Sequence, residues 1–129
     1  MGWRSETRNI IRRYPQHLRD ETVLRTVSVT ASVNGGRGSR NVSRTTELAA
    51  MRELPPEEQR ELDAVRQAIA TTMRYRNGDD RIRLIDLMYW RAYGRSMWVA
   101  ADEVHVSYGT AKNWHNGFIE LVDAYMRVM

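Results

Sequence analysis

From Pro56 to the C-terminus the apolar residues return every three or four positions, and only a helix lines such residues up on one face. Leu62, Val65, Ile69 and Met73 do so in one run, and Phe118, Leu121, Val122, Tyr125 and Val128 in another. Between them RIRLIDLMYW is apolar around most of a helix's circumference, which suits an element in the middle of a core. The boundaries are marked as well. Pro56 fits a first helical position, Glu57 and Glu58 follow at the positive end of the helix dipole, and Arg74 and Arg76 sit at the negative end before Asn77-Gly78 stops the run. Asp79 or Asp80 is the expected cap of the next helix. The fold class expected is all-α.

The half before Pro56 is less regular. Ser5 is placed to cap a helix running to about Tyr14, with Ile10, Ile11 and Tyr14 on one side and Arg8, Arg12 and Arg13 on the other, and Pro15 is expected to end it. From Asp20, DETVLRTVSV reads as a second helix to about Val27, although Val27, Val29, Ala31 and Val33 alternate as a strand would. SVNGGRGSRNVS breaks all periodicity and is expected to be a mobile linker or loop; Ser43 or Thr45 then starts a short helix through Met51, closed by Leu54-Pro55-Pro56. The organisation expected is a basic N-terminal arm, residues 1–44, and a helical domain, residues 45–129.

At 129 residues, 42% of them apolar, the chain has material for one modest core. It holds no cysteine, so disulfides, a thiolate nucleophile and zinc–thiolate sites are excluded. No apolar run is long enough for a membrane span and the opening residues lack the apolar stretch of a secretory signal, so the expected location is cytoplasmic. The net charge of +4 is unevenly spread: residues 1–55 carry ten arginines against five acids, while residues 78–129 carry six basic residues against seven acids. A basic first half favours a polyanion such as double-stranded DNA.

Residues 97–116, MWVAADEVHVSYGTAKNWHN, have the apolar spacing of a helix-turn-helix. Ala100, Val104, Val106, Ala111 and Trp114 fall on the inward positions, and small Ala101 stands where two steeply crossing helices would touch. The turn falls at His105, where the backbone must be left-handed; histidine tolerates this better than branched residues. Ser107 is the expected N-cap of the second helix. Its outward side would then show Tyr108, Gly109, Thr110, Lys112, Asn113 and Asn116 to phosphates and base edges. Arg37, Arg40 and Arg44 are either solvated charges or a tail that tracks phosphates or a minor groove.

Other clusters have plainer readings. His105, His115 and Asp102 lack metal-ligand spacing, so solvated or turn-forming roles are expected. Glu57, Glu58, Glu61 and Asp63 could hold magnesium in a nuclease, yet acids at a helix N-terminus are expected on dipole grounds. Trp90, Trp98, Trp114 and Phe118 could stack bases, but their phases suit a core. The C-terminal stripe packs against Ile82 and Ile85, or else supports homo-oligomer formation. No catalytic residue, metal or cofactor is expected.

SRTTELAAMREL, ELDAVRQAIATT, RLIDLMYWRAY and VHVSYGTAKNWHNGFIELV resemble small phage transcriptional regulators of the RinA and ArpU type, most clearly from Leu54 to Tyr125. The final part is also similar to region four of sigma factors, in which a valine and a hydroxyl N-cap precede the residues that read the promoter. That likeness implies base or phosphate contacts from Tyr108, Gly109, Thr110, Lys112 and Asn113, although sigma factors usually show arginines and a glutamate there. The resemblance implies an activator of phage late or packaging genes, acting in the cytoplasm of a bacterial host cell. Alternatives are a DNA-packaging protein similar to a small terminase subunit, and an adaptor that binds RNA polymerase through the arginine-rich arm.

Overall fold

The computed structural model describes residues 2–30 and 53–128. Among these the chain is all-α, with five helices and no strand. The helices are α1 (Trp3–Thr30), α2 (Pro56–Met73), α3 (Gly78–Ile85), α4 (Met97–Val104) and α5 (Tyr108–Val128). A single π-helical turn, Asp86–Trp90, continues α3. None of them is long and apolar enough to cross a membrane.

The first helix differs from the sequence reading. Helix α1 begins at Trp3, so Ser5 lies inside it rather than capping it, and it runs straight through Pro15 to Thr30. A proline deletes its own N–H and orphans the carbonyl four residues earlier. That carbonyl belongs to Ile11, and the Trp90 indole Nε1–H donates to it at 2.8 Å. The same ring lies 5.1 Å from Tyr14 and meets Phe118 edge-on at 6.4 Å, so the π turn plugs the gap that proline opens. Nor is α1 an arm: its Ile10 and Ile11 are buried in the main core with Ala64, Val65 and Ala68 of α2, Ile85 of α3, and Phe118, Ile119 and Val122 of α5. Arg13 fastens the far side, donating twice to Glu61 of α2 at 3.0 and 2.9 Å. The linker, the short helix through Met51, and Arg37, Arg40 and Arg44 lie outside the described residues.

Pro56 opens α2 as its spacing predicts, with Glu57 and Glu58 in the first turn. Leu62 and Val65 are fully buried, but Met73 is exposed, because α2 ends there and turns away through Arg74. Asn77 then takes a left-handed conformation, φ 63°, and it is the residue before α3; Asp79 and Asp80 lie in the first turn and cap nothing. Gly78 is needed at this crossing, since a Cβ there would stand 2.6 Å from the Thr72 carbonyl oxygen. Leu84, Ile85 and Leu87 are all but fully buried, as a central element requires. Each such side chain contributes about 1.5–3 kcal/mol relative to an exposed one.

The C-terminal stripe packs within the chain. Phe118 and Val122 are buried against Ile85, with Ile82, Leu121 and Tyr125 packed around them, whereas Val128 is exposed.

Candidate nucleic-acid interface

Helices α4 and α5 share a smaller core of their own with α3 and the π turn: Leu84, Leu87, Ala100, Ala101, Val104 and Ala111, with Val106 and Trp114 packed against it. The inward residues of 97–116 are thus brought together. Ser96 caps α4 by accepting from the Val99 N–H at 3.3 Å. Its other end closes in a Schellman arrangement: the Val106 N–H reaches the Ala101 carbonyl at 3.0 Å and the His105 N–H reaches that of Asp102 at 3.1 Å. Both bonds require a left-handed residue between them, and His105 supplies it at φ 64°, ψ 45°.

Ser107 then starts α5. Its Oγ accepts from the Thr110 N–H at 3.1 Å and donates to Thr110 Oγ1 at 3.0 Å. Beyond this cap Gly109, Lys112 and Asn113 are exposed, and Tyr108, Thr110 and Asn116 are half-buried. A Cβ on Gly109 would meet nothing among the described residues closer than 4.0 Å, so their packing does not call for glycine there. Among the cations of residues 91–128, Arg91 pairs with Asp86, Arg95 with Glu103 and Arg127 with Asp123. Lys112 has no ion-pair partner among the described residues.

Two aromatic readings change. Trp98 is 68% exposed rather than in the core, because it lies on the outer side of α4, where it stacks on Tyr108 with centroids 4.1 Å apart. The Tyr108 ring therefore lies against α4. The spacing of Trp98 from the core residues hides this, since α4 has only eight residues and its phase is loosely set by so short a run. Trp90 and Trp114 are half-buried and Phe118 is buried, in keeping with the core reading; the Arg81 guanidinium lies 5.3 Å from the Trp114 ring.

His115 is neither solvated nor in a turn. It is 3% exposed, stacks on Tyr89 and shares a 2.6 Å hydrogen bond between Nε2 and the Tyr89 hydroxyl. Burial, together with the Arg8 charge, outweighs a hydrogen bond with Asn116 and pulls its pKa down to about 4. His105, His115 and Asp102 form no group of ligand atoms; the one such group among the described residues is elsewhere, on α1 and α2. At the start of α2, burial raises the Glu61 pKa, but hydrogen bonds from His17 and Arg13 overcome this and hold it at about 2.

No family model matches this chain, and neither the curated proteins nor the solved structures compared with it give a match.

Proposed function

We propose that the chain is a sequence-specific, double-stranded-DNA-binding transcriptional regulator of the phage type, with α4 and α5 as a sigma-region-four-like helix-turn-helix. The observation that carries this reading is the left-handed His105 turn between two capped helices, followed by an outward face with exposed Gly109, Lys112 and Asn113, on which the Lys112 charge has no ion-pair partner among the described residues. In this reading the N-terminal half of α5 enters the major groove. Lys112 neutralises a phosphate, Asn113 reads a base edge, and Ser107, Thr110 and Asn116 fix the register. Gly109 leaves room for the duplex backbone beside the first turn. Tyr108 and the Trp98 on which it stacks form an apolar shoulder to that face.

The resemblance to RinA- and ArpU-type regulators supports activation of late or packaging genes. Residues 91–129 hold equal numbers of basic and acidic residues, so further attraction must come from elsewhere, and Arg37, Arg40 and Arg44 are the candidates. The test is affinity for a selected duplex measured across salt. Lys112→Ala lowers the salt slope by about one unit while leaving base preference intact, and Asn113→Ala relaxes preference at one position at a cost of roughly 1–3 kcal/mol. If neither variant changes affinity or selectivity, α5 is not the reading helix.

A further inference from the structure

We propose that His17, Asp20 and Glu58 form a binding site for one first-row divalent transition-metal ion, zinc being the best fit, which clips α1 to α2. One donor atom from each of the three lies within 4.8 Å of the others. His17 and Asp20 are one helical turn apart on α1 and each is only 4% exposed; Glu58 comes from the first turn of α2. This group lies on other helices than the proposed DNA-reading face and does not depend on that reading.

The decisive detail is the orientation of the imidazole. His17 Nε2 is 2.9 Å from Glu61 Oε1, and the Glu61 carboxylate also takes two hydrogen bonds from Arg13. A carboxylate gripped by a guanidinium is an acceptor only, so the proton in the His17–Glu61 bond sits on Nε2. With that proton placed, Nδ1 on the opposite side is the nitrogen free to offer a lone pair to a metal ion. That atom is buried and has no hydrogen-bond partner among the described residues, and Glu58 Oε1 is 3.7 Å away, beyond hydrogen-bond length. A bare buried lone pair facing carboxylates is unfavourable, and either a proton or a metal cation between them relieves it; the approach of two carboxylates to one nitrogen suits the metal.

The surroundings fit such an ion. A carboxylate on the far nitrogen is the usual support of a metal-bound histidine, setting both tautomer and ring angle, and Glu61 occupies that place. Asp20 is steadied in turn by the Gln16 amide, which donates to its Oδ1 at 2.9 Å. Ligand atoms sharing one zinc ion stand roughly 3–4 Å apart, so a small rotation of the half-buried Glu58 side chain closes the site. One imidazole with two carboxylates suits zinc better than magnesium or calcium, which prefer all-oxygen shells.

Zinc, manganese and magnesium are each titrated by calorimetry into the full chain after treatment with a chelator. The expected result is one zinc per chain, bound more tightly than manganese, with magnesium weakest, and a melting temperature that rises with zinc concentration. Asp20→Asn and Glu58→Gln each abolish the binding and the thermal shift, and Glu61→Gln weakens it about 10–100-fold. In the unaltered chain, zinc moves the nitrogen resonance of His17 Nδ1 while those of His105 and His115 stay in place, which is a readout independent of any variant's folding. No saturable zinc binding, binding unaffected by Asp20→Asn and Glu58→Gln, or a still His17 resonance at saturation would overturn the proposal.

Discussion

Replacing Trp90 by phenylalanine tests how a proline can sit inside α1. The change keeps an aromatic ring against Tyr14 and Phe118 but removes the N–H that meets the Ile11 carbonyl at 2.8 Å. That carbonyl already lacks its helical partner because Pro15 has no N–H. Leaving a part-buried acceptor empty costs about 1–3 kcal/mol, and the lost edge contacts add up to about 1 kcal/mol more. In a Pro15→Ala background the picture reverses. The restored N–H at position 15 donates to the Ile11 carbonyl from within the helix, so Trp90→Phe no longer strands an acceptor, and its cost falls by at least about 1 kcal/mol. Pro15→Ala alone stabilises α1, by less than the roughly 3 kcal/mol of an unassisted helical proline, since the indole already meets part of the deficit. Urea unfolding of the parent, both single variants and the double variant gives the coupling directly. Additivity within about 0.5 kcal/mol would refute the account, because the two residues would then act independently.

Three further outcomes follow from the α4–α5 region. His115 is held at about 4 in the fold against an ordinary value of 6.5, so the folded chain binds fewer protons between those values. Its contribution, at most roughly 3 kcal/mol, is complete above pH 6.5 and is lost as pH falls through 4; His115→Gln should flatten that limb of a pH–stability curve, and an unchanged limb would contradict it. Gly109→Ala should stabilise α5 by about 0.5–1 kcal/mol, seen in thermal melts, while weakening duplex binding, and tighter binding would show that nothing approaches that turn. Trp114→Ala should cost about 2–3 kcal/mol, less than a fully buried tryptophan would, and a native melting temperature would place the ring outside the packing.

How much of this can be read from the chain depends on the distance over which each signal acts. Pro56, the Asn77 stop, the left-handed His105 and the Ser107 cap are decided by neighbours within a few residues, and each is legible from residue type alone. Pro15 misleads for the opposite reason. What lets the helix continue is an indole 79 residues away, delivered by a π turn for which DLMYW shows no local sign. Trp98 and His115 mislead in the same way, because exposure is set by which helices lie across from them. The His17 group has no signature in the sequence, since its donors come from two helices far apart along the chain and one of these reads as a separate arm.

DNA reading by α5 is tested by selecting bound duplexes from random DNA with the full chain, at two salt concentrations. One sequence should be enriched at both, with affinity falling steeply between them, and Asn113→Ala should lose the preference at a single position of that sequence. Recovery of unenriched DNA at both concentrations, or the same enriched sequence with the same affinity for Asn113→Ala and Lys112→Ala, would contradict it.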